Sequence, residues 1–451
     1  MPTTLDCLVM KNVFGSDRMR AVFDSSQLVQ SYFDTWAALA EAEADVGMIP
    51  RDAAEQIRAA SQRGDFDIEE IGRKVASGRH FLMPSINAMI AASGEAGRYV
   101  HWGATTQDIT DTGMVLQLDM AMDIVEASLA RITDLVAGYA AQYRDQPMAG
   151  RTHWQHAVPI TFGLKLAQWV DELERDRERA RRAHEGIRVA QLGGAGGTLA
   201  SLGDKGPAVL DAFCKRLGLA KPDAAWHAIR DRFAELVSVL GMIAAMLEKI
   251  CLEVGRLSSA EIGELHEPRN KGQVGSSTMP QKHNPILCER SAAGCRIVRG
   301  LVPVMQSLMI GVHERDMASV AAEWLLIPQC FITLDGSLQY TEVILAGLQV
   351  FPERMSENLQ ITKGGIASEA VMFGLADKMG RGEAHDLMVE VAREAMEQHR
   401  PLGDVLSERQ AVRDALTPEQ IAELVAPENH LGQSQAITDA VLQRRNAKAK
   451  A

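Results

Sequence analysis

The chain has 451 residues, with 47 Lys and Arg against 59 Asp and Glu, a formal net charge of −12. Its 46% hydrophobic and 24% charged residues describe a globular chain with a large core, which excludes wholesale disorder. An acidic balance without a long basic run argues against nucleic acid or an anionic membrane surface as the main partner.

Six scattered cysteines show no CxxC spacing, which disfavours a zinc ribbon or a redox dithiol. Met1 to Lys11 does not read as a secretory signal. No charge-free apolar stretch of about 18 residues occurs, so no membrane span is expected. The expectation is a reduced, cytoplasmic protein.

Along the chain the dominant period is helical. After a polar, Gly- and Thr-rich segment, His101 to Asp108, apolar positions Leu118, Met122, Val125, Leu129, Ile132 and Val136 predict a long helix. Gly150-Arg-Thr-His-Trp-Gln-His156 interrupts the pattern. A second helix follows Pro159, with Phe162, Leu166, Trp169 and Leu173 inward and a charged, solvated outer face. The Gly193 to Gly197 cluster lacks GxGxxG spacing and follows no predicted strand, so it reads as close backbone approach or a turn rather than a dinucleotide site.

From Phe233 the positions Leu236, Leu240, Ile243, Leu247, Ile250, Val254 and Leu257 step by 3 and 4, an a/d seam. Ile297, Leu301, Val304 and Leu308 predict a fourth helix with Pro303 as a kink. Phe331, Leu334, Leu338, Leu345 and Leu348 predict a fifth. Shorter helices follow Phe351 and Pro352. Period-2 alternation is rare and no βαβ train occurs, so the fold reads as all-α, a long bundle whose seams can also run between subunits. The expected domains are 1–110, 111–350 and 351–451.

A loop from Gly272 to Pro285 is too long and too polar for an ordinary helix connection. Gly275, Ser276 and Ser277 can aim several backbone N–H groups at one point, Lys282 adds charge and Asn284 an amide. This points to a carboxylate site in which Ser276 or Ser277 acts as base or donor. The absence of GxSxG disfavours a serine hydrolase. His153 and His156 stand three apart, and spacing alone leaves a catalytic, a metal-binding and a structural reading open. HExxH is absent.

Gly275-Ser-Ser-Thr-Met-Pro-Gln-Lys-His-Asn-Pro285, followed by Glu289, resembles the GSSxMPxKxNxxxxE signature of the fumarase/aspartase superfamily. Thr105-Thr106 and Gly150-Arg-Thr-His153 look like its other two conserved regions. The stretches Leu192 to Lys205, Trp226 to Arg232 and Asn429-His-Leu-Gly432 are similar to the branch holding 3-carboxy-cis,cis-muconate cycloisomerase, beside adenylosuccinate lyase.

The resemblance implies a three-domain, all-α fold and a homotetramer around a twenty-helix bundle. It also implies active sites shared between subunits, no metal and no other cofactor. The implied reaction removes a proton next to a carboxylate and eliminates or adds at the neighbouring carbon of a small di- or tricarboxylate. Ser276 is then the base and His153 the acid, with Lys282 stabilising developing charge. Thr105, Thr106, Ser277, Met279 and Asn284 become substrate contacts, and His80 falls near another active-site histidine. Arg315 either binds a substrate carboxylate or makes a surface ion pair. An iminodisuccinate-type epimerase, an adenylosuccinate lyase and a non-catalytic structural homologue are the alternatives.

Overall fold

The computed structural model describes residues 4–78, 80–269, 279 and 281–448. Five helices come first: α1 (Asp17–Val22), α2 (Ser25–Asp45), α3 (Arg51–Ser61), α4 (Ile68–Gly78) and α5 (Met83–Ala92). Next come α6 (Thr106–Gln142), β1 (Pro147–Thr152), β2 (Gln155–Thr161), α7 (Phe162–Ile187) and α8 (Gly206–Leu217). They are followed by α9 (Asp231–Leu257), β3 (Leu265–His266), α10 (Ile286–Ser307), α11 (Met317–Ala346) and β4 (Gln349–Val350). The C-terminal helices are α12 (Pro352–Leu359), α13 (Ser368–Met379), α14 (Arg381–Glu397), α15 (Leu402–Ser407), α16 (Gln410–Ala415), α17 (Pro418–Val425) and α18 (Ser434–Lys448). Among the described residues the fold is all-α apart from two small antiparallel sheets, β1–β2 and β3–β4.

The chain divides into two compact units. One comprises Met1–Leu129, Asp176–Glu248 and Arg290–Tyr340, the other Ala130–Arg175, Lys249–Glu289 and Thr341–Ala451. The long helices α6, α7, α9, α10 and α11 each give a segment to both. In the first unit, Phe33, Trp36, Ile57, Leu82 and Met89 form a buried cluster from α2, α3 and α5. The Asp24 side chain starts α2 by accepting the Gln27 N–H at 2.8 Å. In the second unit, Leu375, Val391, Leu402, Val405 and Val412 form the C-terminal core, and Thr417 with Gln420 builds a capping box on α17.

The helical seams behave unequally. Every seam position read on α6 and α9 is buried, as are Phe331, Leu334 and Leu338 on α11. On α10 the phase differs. Cys288, Cys295, Val298 and Met305 turn inward, while Ile297 and Val304 stand 52% and 47% exposed. Periodicity reports that an apolar stripe exists, not which stripe a single chain buries.

Two further features concern α11 and the segment after α6. By length and composition α11 is apolar enough to cross a membrane, although half of its most apolar window is buried. Its Glu323 and Asp335 are ion-paired with Arg230 and Arg18. Residues 150–156, read as a polar interruption, fall within the β1–β2 hairpin. Its two-residue turn is His153-Trp154, which lacks the Asn-Gly or Asp-Gly signature of such turns.

Candidate active site

In the first unit the start of α6 is organised by Asp108. Its carboxylate is fully buried and accepts four hydrogen bonds. Thr105 N–H and Gly194 N–H donate to Oδ2 at 2.8 and 2.9 Å, while Gly193 N–H and His227 Nε2 donate to Oδ1 at 2.9 and 2.7 Å. All lone-pair positions of a carboxylate are thereby used, so Asp108 orders the Thr105 segment rather than acting as a base. Gly193 has to be glycine: a Cβ there would sit 2.7 Å from the Ala225 Cβ. The glycine cluster is thus a close backbone approach, one of the two sequence readings.

Gln107 extends this network. Its amide donates to Asp111 and to the His227 carbonyl, both at 2.9 Å, and its oxygen accepts from Arg315 Nε at 3.0 Å. Arg315 is half-buried and no carboxylate among the described residues lies within ion-pair distance of it. Arg230 carries the buried charge instead. It bridges Asp111 and Glu323 and lies over the Trp226 and Phe233 rings at 5.2 and 4.7 Å.

His80 has a local role. Its Nδ1 accepts the Leu82 and Met83 N–H groups at 3.3 and 3.1 Å, at the start of α5. Accepting through Nδ1 leaves the neutral ring's proton on Nε2. Burial lowers the nearby His101 imidazole, with Asp108 opposing and His80 reinforcing the shift.

In the second unit the hairpin presents His153. Thr152 pairs with Gln155, leaving His153 and Trp154 as the turn, at φ +48° and +68°. Two consecutive non-glycine residues in the left-handed region are costly, and such outliers concentrate at functional sites. Gly150 permits the irregularity in β1, since a Cβ there would lie 2.7 Å from the Val158 carbonyl oxygen.

The exposed His153 ring makes no hydrogen bond among the described residues and borders a cavity of about 540 Å³. Lys165 in that cavity is neutralised by Glu253 at 2.6 Å, and Arg151 forms a two-armed pair with the fully buried Glu264 at 3.0 and 2.5 Å. Asn358 adds a 2.7 Å bond to Glu264. His156 also lines the cavity, with a buried Nδ1 lacking a hydrogen-bond partner among the described residues. Burial and the Arg151 charge hold its imidazole below the usual range, Glu264 opposing them.

Met279, Lys282 and Asn284 precede α10. Lys282 is exposed, and its N–H bonds the Met279 carbonyl at 3.1 Å. Glu267 caps α10 by accepting the Leu287 and Cys288 N–H groups at 3.1 and 3.0 Å. Asn284 lines a small pocket with His266, Glu267, Arg269 and His283, separate from the cavity of His153. Ser276 and Ser277 lie outside the described residues. The first unit thus holds His80, Thr105, Thr106 and Arg315, and the second holds His153, Met279, Lys282 and Asn284.

A lyase family model matches residues 13–300, and an adenylosuccinate lyase C-terminus model matches residues 364–441. The chain belongs to the fumarase/aspartase superfamily. It is 40% identical over 438 residues to a 3-carboxy-cis,cis-muconate cycloisomerase of Pseudomonas aeruginosa, covering 96% of this chain and 95% of that protein. It is 39% identical over 438 residues to an N-acetyl-S-(2-succino)cysteine lyase of Enterococcus italicus, covering 97% and 96%. The crystal structure of a fumarate lyase from Mesorhizobium sp. BNC1 superposes with a TM-score of 0.90 at 37% identity, covering 95% and 98%. This superfamily chain is therefore an enzyme of the lyase and cycloisomerase kind.

Motif spacing did not reveal Asp108, Gln107, Arg230 or His227 as the frame of the Thr105 segment. The available signal was the polar Trp226-His-Ala-Ile-Arg230 run just before a seam helix. Its partners lie more than a hundred residues upstream and no local pattern names them.

Proposed function

We propose that this superfamily enzyme removes the proton next to a substrate carboxylate and eliminates or adds at the neighbouring carbon, as a cofactor-independent, cycloisomerase-like lyase of a small di- or tricarboxylate. The observation that carries the reading is the presentation of His153, uncommitted, on a strained turn beside a cavity bordered by cationic side chains. Ser276 takes the proton. The electron pair left behind spreads into the carboxylate, giving a dianion that needs preorganised positive charge. Lys282 and the Thr105–Thr106 segment supply that stabilisation. The electron pair then forms the double bond, the bond to the group on the next carbon breaks, and His153 protonates the departing atom.

Because the candidate residues fall in two units and two separate pockets of one chain, the reading includes composite sites in a homotetramer. The outward-facing Ile297 and Val304 on α10 support association through the long helices. Light scattering at micromolar concentration checks this; a fully active monomer would refute it.

The similarity to a succinocysteine lyase supports a second reading, in which the departing group is a thiolate. A panel of di- and tricarboxylates and succinylated thiols, followed by NMR in deuterated water, separates the cases. Unsaturated product or lactone ring opening supports the lyase. Deuterium wash-in at the α carbon without product assigns epimerisation instead. Ser276→Ala is expected to lower kcat about 10²–10⁴-fold with binding retained, whereas Lys282→Ala weakens KM and kcat together. Near-normal turnover of Ser276→Ala refutes Ser276 as base.

A further inference from the structure

Trp154 is placed at a cost in two ways. It occupies a left-handed turn position at φ +68°, and its side chain is 78% exposed. A large indole in water at a position favouring glycine gains nothing for the isolated fold. Its one described partner is Arg256 in the last turn of α9, whose guanidinium carbon stands 4.6 Å from the indole centroid.

Arg256 differs from the other cations of this cavity. Arg151 and Lys165 are each matched to a carboxylate, Glu264 and Glu253. The Arg256 side chain makes no hydrogen bond and no ion pair among the described residues, although Glu261 lines the same cavity. Among the described residues the cavity thus contains one uncommitted guanidinium, held over the Trp154 ring, beside the uncommitted imidazole of His153. With no partner among the described residues, the guanidinium N–H groups remain available, and they offer the paired donors that fit a carboxylate. The exposed indole face offers a flat apolar surface to the carbon chain behind that carboxylate.

We infer that Arg256 and Trp154 form a specificity subsite for the carboxylate distal to the reacting carbon, with the adjoining hydrocarbon or thioether chain lying against the indole. The inference rests on the proposed role of His153, because it places the reacting bond at the other end of the same ligand. A monocarboxylate leaves the subsite empty. A di- or tricarboxylate spans from Arg256 to His153.

The test uses propane-1,2,3-tricarboxylate as an unreactive probe of the full-length chain. Titration is followed by tryptophan emission, with Trp154→Phe identifying the Trp154 component. The expected result is a saturable emission change that is lost in Trp154→Phe. Because a charge-assisted bond contributes about 1.5–3 kcal/mol, affinity falls about tenfold or more in Arg256→Gln. Arg256→Lys recovers part of it. With the best substrate from the carboxylate panel, Arg256→Gln raises KM about tenfold while kcat stays within about threefold.

Equal affinity in wild type and Arg256→Gln, or no binding of the probe to wild type, overturns the subsite. Arg256-dependent binding without turnover of any panel compound overturns the proposed reaction and leaves the subsite standing. The two failures are therefore distinguishable.

Discussion

Asp108 and His227 are 119 positions apart in sequence and share a buried hydrogen bond of 2.7 Å. That bond ties the beginning of α6 to the segment leading into α9. The same carboxylate holds the Thr105, Gly193 and Gly194 amides, so three polar segments separated in sequence converge on one side chain. The polar insertions between helices become ordered because their backbone donors are satisfied by a buried anion rather than by water.

Replacing Asp108 by Ala strands these donors. Removing one partner from a buried charged network costs about 3–5 kcal/mol, and unpaired donors explain most of it. Urea unfolding of Asp108→Ala is expected to show a midpoint shift of that order with an unchanged m-value. A shift below about 1 kcal/mol would mean the amides find other partners.

His184 gives a pH signature. Its ring nitrogens bond Glu126 and Asp119 at 2.8 and 2.7 Å. Burial alone would lower its pKa, but these bonds and the two negative charges outweigh burial and raise it above its ordinary value. The folded state therefore holds a proton that the unfolded state releases first. The stabilisation is complete below the ordinary histidine pKa and disappears as pH rises through the raised value. His184→Gln should destabilise more at pH 6 than at pH 9; equal effects would refute the charged bridge.

Glu43 gives the same direction of pH dependence, but from an unpaired buried group. It is fully buried on α2, neither carboxylate oxygen has a hydrogen-bond partner among the described residues, and burial pushes the carboxyl up to about 8. Between the ordinary glutamate range and about pH 8 the folded state retains a proton that the unfolded state has lost. Stability therefore falls as pH rises across that window. Glu43→Gln is expected to flatten this slope and to stabilise the chain at pH 8 by about 1–3 kcal/mol. Thermal unfolding at pH 5 and pH 8 checks it, and an unchanged slope would contradict it.

The hairpin turn should trade stability against activity. Trp154→Gly removes a side chain from a left-handed position, a gain of about 1 kcal/mol. It also removes the indole from the cavity of His153, so KM for a dicarboxylate should rise. His153→Ala keeps the φ penalty and should lower kcat about 10²-fold or more. Denaturant titration and steady-state kinetics on both variants provide the comparison.

The amino-acid sequence by itself determined the long helices, because an apolar repeat of 3.6 residues is a local property that each segment carries alone. The burial of the whole α9 seam from Phe233 to Leu257 follows from it. The Gly275–Pro285 signature likewise identified the family by chemistry concentrated in one short stretch of sequence. Other features were decided by tertiary structure. The stripe of α10 that turns inward depends on what packs against that helix, and the outward stripe is as apolar as the inward one. Asp108 finds His227, and Arg256 finds Trp154, through contacts between segments distant in sequence, so no spacing rule announces either pair. The turn at His153 and Trp154 was illegible for a physical reason as well: its residues disfavour the backbone conformation that the hairpin imposes on them.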